Sequence, residues 1–192
     1  DGEAGYSYSG KKVVASVNGY FMYYKDQLVL TGKINDVGNY TRANVTTSFR
    51  RGIEVQVGYQ ILPVVKLEGN LTFSENRIRS FNEFVDAYTA TDTSFNSAGQ
   101  IEIKHHNSSI AFSPSPTAVA ALNWQITKAL QFRTTVRYVG NQFLDNTEST
   151  DRMLNDYTIC DAQLDYCIKN FLGRELTAGV QVNNIFDRVY TS

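Results

Sequence analysis

The sequence has no apolar run approaching the roughly 18 consecutive residues that mark a membrane-spanning helix, although 42% of its 192 residues are hydrophobic. Any crossing of a bilayer must therefore be made by strands. Neither sign of charge is in excess. Lys+Arg total 18 against 19 Asp+Glu, a formal net charge of −1, which leaves no electrostatic footprint for nucleic acid. Cysteine is limited to Cys160 and Cys167 in what reads as one strand. At about 3.4 Å per residue they would stand roughly 20 Å apart and on opposite faces, beyond disulfide reach, so neither a disulfide framework nor a zinc spacing exists. Histidine is limited to the neighbours His105 and His106, and no Ser-His-Asp or Cys-His arrangement has supporting context. The chain is expected not to be an enzyme, with no catalytic, cofactor-binding or metal residue assigned and no cofactor. It opens at Asp1 without a charged start and an apolar segment, so a leader is expected to be absent or already removed.

What the chain does have is aromatic residues, twelve Tyr and eleven Phe, and long alternation. In "LQFRTTVRYVGNQ", Leu130, Phe132, Val136 and Tyr138 share one side of an extended chain and Gln131, Arg133, Thr135 and Arg137 the other. The same pattern puts Val13, Ala15, Val17, Phe21 and Tyr23 on one face, then Phe49, Ile53, Val55, Val57, Tyr59 and Ile61. It recurs with Val65, Leu67, Leu71 and Phe73, with Ala118, Ala120, Leu122, Trp124 and Ile126, with Thr158, Cys160, Ala162, Leu164 and Tyr166, and with Leu176, Ala178, Val180 and Val182. Seven long segments result, with a shorter one near "EAGYSYS". The links alternate. Short ones fall at residues 9–11, 62–63, 127–129 and 169–174, and long polar ones at 30–46, 80–107 and 142–155. An all-β, antiparallel up-and-down meander follows, with tight turns at one rim and long loops at the other. The segments exceed the usual 5 to 6 residues of a soluble strand and match the 9 to 11 of a tilted crossing. Their polar face is rich in Ser, Thr, Asn, Gln and Gly, as a wet lumen wall is, and rings cluster toward strand ends. The pattern favours part of a transmembrane β-barrel. A soluble all-β ligand-binding or adhesion module stays open as the alternative.

The segment "VQVNNIFDRVY" resembles the N-(L/I)-F-D-x-x-Y signature near the C-terminus of TonB-dependent outer-membrane receptors. "NGYFMYYKDQLVLTGKINDVGNYTRANV", "FRRGIEVQVGY" and "NLTFSENRI" occur in the order that Bacteroidetes-type members of the family show. The resemblance implies a 22-stranded barrel closed by an N-terminal plug, of which residues 1–192 would form a single partial domain, a C-terminal fragment without the plug. It further implies active import of a scarce solute such as a ferric siderophore across the bacterial outer membrane. The partners implied are outer-membrane lipid, an extracellular small-molecule ligand, and, for the full-length protein, the plug and the TonB energy-coupling complex. A passive porin-like channel is a second alternative. Ligand-binding residues are not assigned.

Several constellations invite chemistry. "GYSYSGKK" gives G-x-x-x-x-G-K, but Lys12 stands where the phosphate-binding loop needs Ser or Thr, and a hairpin turn is the simpler reading. His105 and His106 read as solvated loop residues. Asp145, Glu148 and Asp151 lack the glycine and closing glutamate of a calcium loop. Phe81, Phe84, Tyr88 and Phe95 could stack on a ligand, with burial inside a folded loop as the favoured reading. Glu54, Lys66, Glu68, Arg133, Arg137, Asp161 and Asp165 fall on the lumen face. There they could route a charged substrate, though ion pairing between wall and plug is simpler. An isolated fragment would carry two open sheet edges, expected either to self-associate or to curl into a smaller closed sheet.

Overall fold

The computed structural model describes residues 1–34, 40–91, 94–171 and 174–191. The principal strands are β1 (Gly2–Ser9), β2 (Val13–Ile34), β3 (Tyr40–Leu62), β4 (Val65–Thr91), β5 (Ser94–Ser109), β6 (Thr117–Gln125), β7 (Leu130–Val139), β10 (Tyr157–Phe171) and β11 (Arg174–Val182). Two short strands, β8 (Gln142–Phe143) and β9 (Met153–Leu154), pair with each other beside a 3-10 turn over Thr150–Arg152. The main sheet runs β1-β2-β3-β4-β6-β7-β10-β11, every neighbour antiparallel, with β5 paired to β4 off this path.

Register carries the apolar alternation from strand to strand. Val17 faces Val55, which faces Leu71. Leu71 faces Ala118, and Ala118 faces Tyr138. Beyond that, Val136 faces Cys160, and Leu164 faces Val180. This face has no second layer. Val17, Ile53, Phe73, Leu164 and Val180 are 44%, 52%, 53%, 43% and 69% exposed. In a soluble sandwich a facing sheet would bury those side chains, so the alternative of a water-soluble module with this face as its interior is not what the chain builds. In β4 the apolar stretch runs from Val65 to Phe73, which at the tilt of a barrel strand spans a height of roughly 20 Å. Tyr59, Trp124, Phe132 and Tyr166 ring its lower edge, and Phe21, Phe49 and Tyr23 its upper edge, as two interfacial girdles.

The turns lie where the short links predict. Residues 10–12, 63–64 and 126–129 join paired strands directly, and Gly10 N donates to the Val13 carbonyl at 2.8 Å. The G-K motif is thus a hairpin turn. The long links differ from expectation. Those at 30–46 and 80–107 are not irregular loops but continuations of β2 into β3 and of β4 into β5 as tall hairpins, both turning at residues outside those described. Above the membrane both faces of a hairpin meet water or other loops, so the alternation that betrays a strand fades while the backbone still needs its ladder. Only the link at 142–155 is mostly irregular. The strand quoted first is also shorter than its pattern. β7 stops at Val139, and Gly140 after it packs so closely that a Cβ there would lie 2.6 Å from the Ser115 carbonyl oxygen.

Among the described residues the buried cluster of Val29, Val45, Ile78, Phe81 and Ile110 sits among these outer hairpins and not in the membrane band.

Candidate functional site: the inner wall and the outer-loop cluster

On the inner face the same register assembles rows of polar side chains. Gln60, Lys66, Asn123, Arg133, Gln163 and Gln181 form a line across six strands. One step along, Glu68, Ala121, Thr135 and Asp161 form the next. A trough of about 650 Å³ opens here, lined by Lys12, Ser16, Gln56, Lys66, Asn70 and Arg133 among others. Lys66 Nζ lies 2.6 Å from Glu68 Oε1, and Asn123 donates to the other oxygen at 2.9 Å. Two residues apart on one strand, Lys66 and Glu68 share a face, so their contact needs no turn. The Gln163 amide donates to both Asp165 oxygens. The inner-face residues expected from the sequence, Glu54, Lys66, Glu68, Arg133, Arg137, Asp161 and Asp165, all lie at inward register positions.

The signature "NNIFDRVY" has a mechanical role. Asn184 adopts a left-handed conformation (φ 50°), which asparagine tolerates better than most residues. Its side chain clasps residue 188, donating to the Arg188 carbonyl and accepting from the Arg188 amide, each at 3.0 Å. Its own amide donates to Asp161 Oδ1 at 2.8 Å, and Ile185 N donates to the Cys160 carbonyl at 2.8 Å. Tyr190 then stacks on Tyr157 with ring centroids 4.6 Å apart. The motif folds the chain after β11 back onto β10.

Above the band, polar side chains from three segments converge. Glu83, whose side chain is 10% exposed, receives His105 Nε2 at 2.8 Å and Arg152 Nη1 at 3.2 Å. Arg152 also reaches Asp145 Oδ2 at 2.6 Å, and His105 stacks on Phe81 at 4.9 Å. Burial pushes the Asp145 carboxyl up, but hydrogen bonds from Arg152 and Thr147 outweigh it and hold the group below the usual aspartate range. Asp145 first and then Glu83 raise Arg152, which stays a cation. Arg77 pairs with Glu148, which also accepts from Ser109 Oγ at 2.5 Å. Asn146, 3% exposed, accepts from the Ala111 amide at 2.8 Å. His105 is therefore a half-buried strand residue tied to a carboxylate and not a solvated loop residue, while His106 is exposed as expected. Asp145 and Glu148 are turned to arginines instead of forming a cation cage, and among the described residues no group of three or more His, Cys, Asp or Glu could hold a metal. Phe81 is core, Phe84 half-buried and Tyr88 exposed; the Phe95 side chain lies outside those described. Glu83, Arg152 and Asn146 escape sequence reasoning because they sit in polar stretches with no periodicity to single them out.

An antiparallel meander with an uncovered apolar outer face, ring girdles and a polar concave face defines a segment of transmembrane barrel wall. Residues 2–185 match the family model described as TonB dependent receptor-like, beta-barrel, and the chain belongs to that family of outer-membrane transport receptors. Three solved structures are similar in fold. The copper transporter OprC superposes with a TM-score of 0.69 at 18% identity over 98% of this chain and 25% of that one. The ferric yersiniabactin uptake receptor FyuA from Yersinia pestis gives 0.64 at 18% identity over 98% and 24%. The siderophore receptor PiuA from Acinetobacter baumannii gives 0.63 at 14% identity over 97% and 24%. The chain thus spans about a quarter of the length of these structures. No curated protein compared with it gives a significant match.

Proposed function

We propose that residues 1–192 form one partial barrel domain, a C-terminal wall segment of an outer-membrane receptor that imports a scarce solute such as a ferric siderophore, driven by the TonB energy-coupling complex. The observation that carries this reading is the division of the wall into two chemistries by alternate residues of every strand. Val17, Val55 and Leu71 face outward, part-exposed or exposed with no second layer over them, whereas Ser16, Gln56 and Asn70 line a polar trough. Outward residues meet hydrocarbon, where only a closed ladder satisfies the backbone. Inward ones meet water, a plug domain and the passing cargo. The neighbouring structures' names, a copper transporter and receptors for ferric siderophores, favour a metal-bearing cargo.

The test is a pair of adjacent substitutions in the full-length protein. Val55→Arg places a cation near the middle of the lipid band and is expected to cost about 2–4 kcal/mol, abolishing assembly in the outer membrane. Gln56→Arg faces the lumen and is expected to assemble normally. Cells carrying the Gln56→Arg protein are expected to retain growth on a ferric siderophore under iron limitation, and cells carrying Val55→Arg to lose it. Equal tolerance of both substitutions would remove the membrane reading. Normal assembly without any uptake dependent on TonB would remove the importer reading and leave a passive pore.

A further inference from the structure

Between β5 and β6 the link of residues 110–116 comes to the inner side of the wall, where Phe112, Ser113 and Pro114 close a hollow of about 450 Å³ against β1 to β4. Phe112 adopts a left-handed backbone (φ 52°), which a bulky residue rarely does. It is nevertheless 57% exposed. Its neighbours hold it in place, since its amide donates to the Phe143 carbonyl at 2.9 Å, the Ala111 amide donates to Asn146 at 2.8 Å, and Ser115 Oγ accepts from the Ser74 amide at 3.0 Å. Strain of this kind persists only where the surroundings over-determine it, and it concentrates at binding sites. A strained ring left mostly exposed adds little to the fold.

The facing wall supplies a second ring. Tyr20 lies across Gly52, and although both rings line the hollow, among the described residues they make no ring contact with each other. The space between them is open. Arg50, Gly52 and Glu54 are successive inward positions of β3, with Gly52 opposite Tyr20, so a cation and a carboxylate stand on either side of the Tyr20 ring, roughly 13 Å apart along the strand. Glu3, also opposite Tyr20, adds a second carboxylate. Arg50 is half-buried, and among the described residues none of these three charges makes an ion pair. Two rings that do not touch, with uncompensated charge of both signs at the ends of the gap, match a flat solute that carries both signs. An aliphatic or singly charged solute would use only part of the hollow.

We propose that this hollow is a binding site for a solute whose planar aromatic ring lies between Phe112 and Tyr20, with an anionic group toward Arg50 and a cationic group toward Glu54 and Glu3. The proposal rests on the reading of this face as an aqueous lumen. In the test, the full-length protein in detergent is titrated calorimetrically with para-(aminomethyl)benzoic acid and with its ring-saturated trans analogue, two zwitterions of similar length of which only the first is flat. The aromatic zwitterion is expected to bind about three- to tenfold more tightly, the range of one aromatic contact. Phe112→Leu is expected to erase that ratio, whereas Arg50→Gln and Glu54→Gln are expected to weaken both zwitterions and leave the ratio as it is. Phe112→Gly, which takes the left-handed backbone freely, is expected to erase the ratio while keeping or raising the urea midpoint. Binding of neither zwitterion, equal affinity for both in the parent, or a ratio that survives Phe112→Leu would overturn the site. A lower midpoint in Phe112→Gly would overturn it too, because the ring would then be held for packing. The two readings fail separately. A receptor in which Gln56→Arg assembles and Val55→Arg does not, but which shows no preference for the flat zwitterion, loses only the hollow; equal tolerance of both substitutions removes the lumen and the hollow with it.

Discussion

Gly52 is held by its neighbours more than by its own conformation. Tyr20 and Ser74 flank it in register on the inner face, and the Tyr20 ring lies across the space a side chain would take. A Cβ at Gly52 would come within 2.5 Å of the Phe73 carbonyl oxygen and 2.6 Å of the Tyr20 hydroxyl oxygen. The ring can swing away, but the carbonyl belongs to the ladder and cannot. Gly52→Ala is therefore expected to lower stability by about 1–3 kcal/mol, and Tyr20→Leu to restore only part of it. Urea midpoints of the folded protein in detergent measure both, and an unchanged midpoint in Gly52→Ala would show that the contact relaxes freely. The two thiols differ in the same local way. Cys160 is 8% exposed on the outer face beneath the chain that returns after β11, whereas Cys167 is half-buried with its thiol 3.4 Å from Glu175. A membrane-impermeant maleimide is expected to label Cys167 in preference to Cys160, and mild oxidant to form no internal disulfide; intact-protein mass reads both. The separation of these thiols was legible from spacing alone, because strand alternation fixes faces. The need for glycine at position 52 was not, because it depends on which residue of β2 lies opposite.

The strands were legible in the sequence wherever one face meets an apolar phase and the other water. Val13 to Tyr23 and Val65 to Phe73 announce themselves for that reason. Ser80 to Asn107 does not, since a hairpin standing in water has no phase difference to record, and its Glu83 and His105 became recognisable only through their partners. At this scale Arg152 is one of the ties of segment 140–156, joining Asp145 of its own loop to Glu83 of β4 beside the Arg77–Glu148 and Ala111–Asn146 contacts. Arg152→Gln removes the arginine partner of a carboxylate that is nearly buried, at a cost of about 1–3 kcal/mol, and is expected to loosen the loop. Acid acts differently. The folded Asp145 carboxyl sits below its ordinary value of 3.8, so its stabilising contribution is complete above that value and is lost only as pH falls through the lower, folded one. A nitroxide attached at residue 150 in a Thr150→Cys, Cys167→Ser background is expected to keep one mobility from neutral pH down to about pH 5 and to gain mobility only below the ordinary aspartate range. Mobility rising between neutral pH and pH 5 would mean that another group, not Asp145, controls the loop.

The whole sheet is set by its two ends. Among the described residues β1 pairs only with β2, and β11 only with β10, and all residues of both are exposed. Among the described residues these two strands do not meet, so the sheet stays open and does not curl into a small closed barrel. An unpaired edge presents a row of amides and carbonyls that water can satisfy but hydrocarbon cannot. In the proposed receptor both edges pair with further strands of the same wall, and the open arc is one portion of a wide closed ring. The consequence for the 192-residue chain by itself is association through its edges. Refolded in detergent, it is expected to sediment as species heavier than its 21.6 kDa mass. Hydrogen exchange supplies the second reading, because edge pairing protects the outward-pointing amides of β1 and β11, whereas detergent merely covering a monomer leaves them to exchange within the opening rate of a frayed strand. Proline replacement at an outward-pointing β11 amide, which removes a ladder donor while leaving the β10 side intact, is expected to shift the population toward monomer. A monomer of native strand content with both edges unprotected would mean that detergent satisfies an open ladder and that these strands need no further wall on either side.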